Sequence, residues 1–477
     1  MKRLTIFIAT ALMMTACATA DKQVPAIDSN NFDESIARND DFYQWATGGW
    51  QKNNPLKPEY SRYGSFDVLR ENNEIRINEL FDQMSKTTAE FGTVEQKISD
   101  LYKMGLDEER LNAEGAEPIR KALDYILSIN SREELISKIA KLHIDGIGAF
   151  FYSYPAADLE DSNMTILYME QGGLGMGNRD YYTDENNAEI KAAYRVYLSK
   201  IFTLAGVEGD IEKMVDNAMA VEDRLAAKHW TNVECRDIVK GYNPYTFEAF
   251  KAQYKGVDWD AYFRAMGVRK IEKIVVSQPS SFANTLATLK SASLDELRAY
   301  VAAHYISSAA SYLSEDFAVA SFEFFGKEMS GTEEIRPRWK RAMSVPNSIL
   351  SEAVGQMYVA KYFPESDKAR VEEMVANIQQ AFSKHIDNLD WMGDETKVKA
   401  QEKLASFTVK IGYPNKWKNY SSLKVDPNKS YWANVVEANR WYSMDAMSKV
   451  GKPVDREEWL MSPQTVNAYY MPTTNEI

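Results

Sequence analysis

Asp367-Lys368-Ala369-Arg370-Val371-Glu372-Glu373-Met374-Val375-Ala376-Asn377-Ile378-Gln379-Gln380-Ala381-Phe382-Ser383-Lys384-His385-Ile386-Asp387-Asn388-Leu389 decides the fold class of this chain. Val371, Met374, Val375, Ile378, Phe382, Ile386 and Leu389 recur at helical spacing over about five turns. Pro364, just upstream, marks the start. The pattern is repeated earlier. Thr93 to Gln96, Ser131 to Glu134 and Ser293 to Glu296 read as capping boxes, in which a hydroxyl takes an orphan N–H and the later Gln or Glu reaches back. Apolar faces follow each: Ile98, Leu101 and Tyr102; Leu135, Ile136, Ile139 and Leu142; Leu297, Tyr300 and Val301. From residue 76 to about residue 400 the chain reads as helix after helix. The expectation is a mainly α protein whose stripes are all core, with none reserved for a cofactor. No internal repeat, heptad run or low-complexity stretch interrupts it.

The chain has 477 residues, enough for two or more domains. Apolar residues at 45% and aromatics at 12% exclude a disordered chain. A net charge of −13 argues against nucleic acid as a partner, because phosphates need a basic surface. At the N-terminus, Lys2-Arg3, the apolar run Leu4 to Met14 and Thr15-Ala16-Cys17 form a targeting segment too short to span a bilayer. Thr-Ala-Cys resembles a bacterial lipoprotein processing site, which implies lipidation of Cys17. A plain secretory cut after Ala16, Ala18 or Ala20 is the alternative. Residues 18–38 read as a flexible tether. Cys235 is the remaining cysteine, so no intrachain disulfide forms unless Cys17 is free.

The far end reads differently. Val466-Asn467-Ala468-Tyr469-Tyr470 alternates as a short strand, with Val466, Ala468 and Tyr470 on one side. Pro472 stops easy pairing. Small Ala468 beside amide-bearing Asn467 could hold another extended chain by backbone hydrogen bonds. An ordinary core strand is the bland reading. Near the other end, Arg62 and Arg70 lie eight apart, a spacing that puts both on one helical face. Two converging guanidiniums make a fork for a carboxylate. Otherwise they are exposed arginines paired with Glu71 or Glu74.

Catalytic chemistry has no local signature. His143, His229, His304 and His385 are the histidines, and none opens a His-Glu-x-x-His. His304 follows Leu297 on an apolar face and reads as a core histidine. Cys235 and the serines carry no nucleophile motif. The Gly-rich run Gly173 to Tyr182 lacks the Lys-Ser/Thr of a phosphate loop and reads as a turn.

Asn467-Ala468-Tyr469-Tyr470 with Asn475-Glu476-Ile477 resembles the entry to the catalytic domain of the neprilysin and endothelin-converting-enzyme family of zinc peptidases. In order along the chain, Asp41 to Pro55, Ser61 to Arg70, Asn178-Arg179-Asp180-Tyr181-Tyr182, Tyr242-Asn243-Pro244, Arg336 to Lys340, Trp391-Met392 and Lys410 to Pro414 resemble further signatures of that family. Thr47 stands where animal members have Cys, which fits a bacterial member. The resemblance implies that Asn467 and Ala468 bind substrate backbone, and that Arg62 and Arg70 contact the C-terminal carboxylate of short peptides. It implies zinc as the cofactor of the complete enzyme, with ligands outside this chain, and oligopeptides as substrates. It implies a large helical lid domain that encloses a cavity for modest-sized peptides, joined at its C-terminal end to the first strands of a thermolysin-like α+β catalytic domain.

The expected layout is a signal peptide at 1–17, the tether at 18–38, the helical N-terminal domain at 39–415, and the truncated start of the catalytic domain at 416–477. No catalytic residue and no metal ligand is expected in this chain. The expected place is the bacterial cell envelope, lipid-anchored and facing the periplasm or the exterior. A non-catalytic surface lipoprotein that binds peptides or a protein partner is the alternative.

Overall fold

The computed structural model describes residues 27–477, so the leader and Cys17 lie outside the described residues. The chain divides into two compact units, one up to Lys57 and one from Pro58 to Ile477. Nineteen α-helices and four short strands occur among the described residues, in keeping with a mainly α chain.

The first unit is built on the helix Phe42–Asn53, capped where Asp41 accepts the Gln44 N–H. Gly48-Gly49 reads as a turn in the sequence but lies inside this helix. The reason is a close approach. A Cβ on Gly49 would stand 2.3 Å from the Asn30 carbonyl oxygen. Phe32 stacks on Trp45 with centroids 4.7 Å apart, and the Asp33 N–H donates to Trp45 O at 2.7 Å. Residues 28–33, inside the stretch expected to be a tether, are therefore held down.

The second unit has two main cores. In the larger one, the helix Leu294–Ala309 is buried on nearly every side and packs against Ile211–Ala226 and Glu117–Ser128. Its Ser293–Glu296 box closes in both directions. The boxes at Thr93 and Ser131 close only in part. Both hydroxyls cap as expected, but the Gln96 and Glu134 side chains take the N–H of Gly92 and Asn130, one residue earlier.

A sheet absent from the helical reading lies beside this core. β1 (Phe151–Ala157) pairs antiparallel with β2 (Thr165–Gln171), and β2 is parallel to β4 (Lys273–Val276). The order is β1-β2-β4-β3, with β3 at Pro244–Thr246. The smaller core joins the helices Ser65–Ser85, Val94–Leu106, Arg338–Ile349 and Ser351–Tyr362. The helix Tyr431–Met447 serves both cores, with Trp432, Val435 and Met447 in the larger and Tyr431 and Ala438 in the smaller. Residues 416–477 thus lie in the same compact unit as the helices before them.

Two expectations are corrected here. The stripe of the helix Glu365–Asp387 is not core. Met374, Ile378 and Phe382 are 54%, 59% and 50% exposed, and Ile386 is the one fully buried member. This helix packs mainly on Asp394–Ala405, through bonds such as Ser383 Oγ to Gln401 Oε1 at 3.0 Å, and that leaves its apolar side uncovered. Val466–Tyr470 is not a strand either. The chain turns back after Pro472, so Met471 bridges Glu476, while Thr408 and Lys410 bond to residues 475–477. No neighbouring strand is left for 466–470.

Candidate functional site

The segment that carries Asn467 and Ala468 is anchored just before it reaches them. Gln464 is buried, and its Nε2 donates to Asn347 Oδ1 at 2.8 Å and to Ser351 O at 3.0 Å. Its carbonyl accepts from Asn73 Nδ2 at 2.9 Å, and Asn73 Oδ1 accepts from Tyr358 OH at 2.7 Å. Gly355 makes room, since a Cβ there would lie 2.5 Å from Pro463 Cδ. Beyond this clamp the chain emerges. Asn467 and Ala468 are both exposed, so the expected alternation of faces is absent. Asn467 Oδ1 accepts the Ala468 N–H at 2.8 Å, and the Asn467 N–H turns to Thr465 O at 3.1 Å. The Asn467 amide keeps its NH2 group for other acceptors.

Asn73 sits on the helix Ser65–Ser85, one turn after Arg70. The clamp therefore brings the Arg70 helix and the approach to Asn467 together. Arg62 does not share that helix. Asp67 Oδ2 accepts the Gly64 N–H at 2.9 Å and starts the helix at Ser65, which leaves Arg62 exposed in the preceding loop. The shared face read from their spacing is not formed. Arg70 is exposed, pairs with Asp67 and lies 5.8 Å from the Tyr60 ring centroid.

Sequence reasoning missed the charged group that ties this helix to the Arg338–Ile349 helix. Lys340 is buried, and its Nζ lies 2.6 Å from Glu59 Oε1, 3.5 Å from Glu71 Oε1 and 3.8 Å from Glu74 Oε2. Arg336 holds Glu74 at 2.6 Å, and the Tyr60 and Tyr63 hydroxyls donate to Glu71. Burial and these carboxylates push the Tyr60 hydroxyl well above the usual tyrosine range. The run Arg336 to Lys340 was the available signal.

Among the described residues, no group of three or more His, Cys, Asp or Glu could hold a metal ion. The donors present do not fit zinc. The Nε2–H of His143 donates to Ala149 O at 2.8 Å, because a carbonyl only accepts, and Nδ1 then accepts from Tyr262 OH at 2.7 Å. His304 Nε2 meets Glu222 Oε1 at 2.9 Å inside the core. His229 is buried and His385 is exposed. The Cys235 thiol is pushed up by burial and by Glu170 and Glu234, which disfavours the thiolate a nucleophile needs.

Burial lowers His143 to about 4, and burial with the Arg179 charge lowers His229 to about 4. An unfolded histidine titrates near 6.5. Between those values the unfolded chain binds protons that the folded chain refuses, so stability is full above pH 6.5 and falls toward pH 4. The expected loss is about 2–3 kcal/mol per histidine over that window. Urea unfolding at pH 7 and pH 4.5 measures it. His143→Gln is expected to flatten the slope, and an unchanged slope would clear His143 of the effect.

The chain is 28% identical over 406 residues to a neutral endopeptidase of Lactobacillus helveticus, covering 83% of this chain and 63% of that protein. It is 27% identical over 469 residues to endothelin-converting enzyme 1 of Rattus norvegicus, covering 94% and 61%. It thus spans less than two thirds of either relative. Among solved structures, the zinc metalloprotease Zmp1 of Mycobacterium tuberculosis in complex with an inhibitor superposes with a TM-score of 0.89 at 32% identity, over 94% of this chain and 68% of that one. PepO of Lactobacillus rhamnosis shares the fold, with a TM-score of 0.82 at 24% identity over 92% and 70%. The family model for the N-terminal part of peptidase family M13 matches residues 39–414, and this chain belongs to that family.

Proposed function

We propose that this chain is the N-terminal portion of a membrane-anchored zinc metalloendopeptidase that hydrolyses oligopeptides. On this reading the helices form the lid, Asn467 and Ala468 hold substrate backbone, and Arg62 and Arg70 receive the peptide carboxylate. The zinc ligands belong to polypeptide outside these residues, as does the thermolysin-like part of the catalytic domain. Cys17 carries the lipid that ties the enzyme to the bacterial envelope. The observation that carries the reading is the uncovered stripe Met374, Ile378 and Phe382, with Trp391 77% and Val398 57% exposed beside it. An apolar face of this extent marks an interaction site. It is what a lid-bearing fragment shows where a catalytic part would pack.

Membership of the M13 family and the likeness to Zmp1 support the same reading. A second reading, a non-catalytic surface lipoprotein that binds peptides or a protein partner, is favoured by the poor fit of the described donors to zinc.

The purified chain is expected to bind a short peptide and leave it uncut, with zinc or with a chelator. Gln464→Ala, which loosens the clamp, is expected to weaken that binding about tenfold, the order expected for loss of well-formed hydrogen bonds. Cleavage by this chain that a chelator abolishes would place zinc chemistry within it and overturn the assignment. Failure of the wild-type chain to bind any peptide would remove the proposed grip.

A further inference from the structure

Two stretches singled out in the sequence, Lys410 to Pro414 and Asn475-Glu476-Ile477, meet in the structure. The Thr408 N–H donates to Asn475 O at 3.0 Å, the Ile477 N–H to Thr408 O at 3.0 Å and the Lys410 N–H to Ile477 O at 2.8 Å. Inside this seam lies a buried ion pair. Lys410 Nζ stands 2.7 Å from Glu476 Oε2, with the two side chains 8% and 3% exposed. The ammonium also donates to Glu458 O at 2.8 Å. The other carboxylate oxygen, Glu476 Oε1, accepts from the Tyr469 hydroxyl at 3.1 Å. Burial and the Glu476 charge push that hydroxyl up to about 12, so it stays a donor at neutral pH.

Tyr469 follows Ala468 directly. The next residue is held as well. Tyr470 OH donates to Asn475 Oδ1 at 3.1 Å, and Asn475 Nδ2 donates to Ser406 Oγ at 2.8 Å. On the other side, Gln464 is fixed by Asn347, Ser351 and Asn73. Residues 465–468 therefore span two anchored points, with Asn467 and Ala468 at the Tyr469 end. A span this short keeps few conformations once both ends are fixed. A buried ion pair contributes little net stability, because desolvation offsets its attraction, yet it forms only in a narrow geometry.

We infer that Lys410 and Glu476 are positioning residues for the peptide-backbone grip: through the Tyr469 hydroxyl they hold Asn467 and Ala468 in place before a peptide arrives. A grip held in advance spares binding the cost of ordering it. The inference rests on the reading of Asn467 and Ala468 as that grip.

Two variants separate position from stability. Tyr469→Phe removes the link and leaves the ion pair. Lys410→Met combined with Glu476→Leu replaces the pair by apolar side chains, a change that buried pairs often tolerate. Both variants are expected to unfold near the wild-type temperature. Hydrogen exchange in the 477-residue chain is expected to quicken about fivefold or more at the Asn467 and Ala468 amides in both, and to stay unchanged along the core helix Leu294–Ala309. Calorimetric titration then compares alanyl-alanyl-phenylalanyl-leucine with its analogue N-methylated at the phenylalanine and with its C-terminal amide. In the wild type each modification is expected to weaken binding about tenfold. In both variants the N-methyl penalty is expected to shrink to about twofold or less, while the amide penalty, which belongs to Arg62 and Arg70, stays. Unaltered exchange at Asn467 and Ala468, or a full N-methyl penalty in both variants, would overturn the inference. A wild-type chain indifferent to N-methylation would instead remove the reading of Asn467 and Ala468 as the grip, and the exchange rates would still decide whether Lys410 and Glu476 hold the segment.

Discussion

A Glu222→Ala chain is expected to lose about 3–5 kcal/mol of unfolding free energy, the usual cost of breaking a buried charged network by removing one partner. Glu222 is fully buried on the helix Ile211–Ala226. It accepts from Tyr182 OH, from Tyr194 OH at 3.0 Å, from His304 Nε2 at 2.9 Å and from the Gly175 N–H at 3.3 Å. Removing the carboxylate strands four donors where water does not reach, and each stranded group costs about 1–3 kcal/mol. The Gly-rich run Gly173 to Gly177 depends on the same cluster. The Tyr300 hydroxyl donates to Gly173 O at 2.7 Å and accepts the Phe150 N–H at 2.8 Å. Gly173 has φ of +80°, and a Cβ there would sit 2.3 Å from Phe150 N. Denaturant unfolding measures the loss. Glu222→Gln is expected to fall between wild type and alanine, because an amide keeps one acceptor and turns a donor toward another donor. A loss under about 1 kcal/mol for the alanine chain would mean that the cluster is not what holds this core.

Lys340→Met is expected to cost about 3–5 kcal/mol for a related reason. Lys340 is 6% exposed and stands among Glu59, Glu71 and Glu74, whose mutual repulsion it offsets. Arg336 would still hold Glu74, and the Tyr60 and Tyr63 hydroxyls would still hold Glu71, but Glu59 would lose its Lys340 pair. Methionine fills similar space, so the loss reads charge and not packing. Adding Glu59→Gln to Lys340→Met is expected to restore part of the stability, because one unpaired charge leaves with it. Simple additivity of the two changes would show that Glu59 and Lys340 do not couple. The network also holds the Ser65–Ser85 helix, which carries Arg70 and Asn73, through Glu71 and Glu74. The single variant is therefore expected to weaken peptide binding along with stability, which Glu222→Ala is not expected to do in proportion.

How much of this was legible depends on distance along the chain. Caps at Thr93, Ser131 and Ser293 are local, and all three form. Ile166-Leu167-Tyr168-Met169 is a continuous apolar run in β2, and such a run does not distinguish a buried strand from a buried helix. Periodicity located the Glu365–Asp387 helix, but a stripe states that a face is apolar, not that anything covers it. The spacing of Arg62 and Arg70 fits a helix that a single cap, Asp67, begins three residues too late. At Gly48-Gly49 the preference of glycine for turns gave way to the nearness of Asn30. The clamp on Gln464 has partners at Asn73 and Ser351, separated from it by 391 and 113 positions. No local pattern carries such a pairing, and the same is true of Lys340 with Glu59.

The parallel pairing of β2 with β4 has a consequence for synthesis. Gln171 ends one strand and Lys273 begins the other, so a ribosome adding about 5–20 residues per second exposes the inner edge of β2 for about 5–20 s before its neighbour emerges. The β1–β2 hairpin has both halves early and can zip at once. Trp432 joins the larger core only after all four strands have been made. The nascent polypeptide thus carries an open sheet edge throughout that interval, when whatever shields Ile166 to Met169 bears on its yield in a cell.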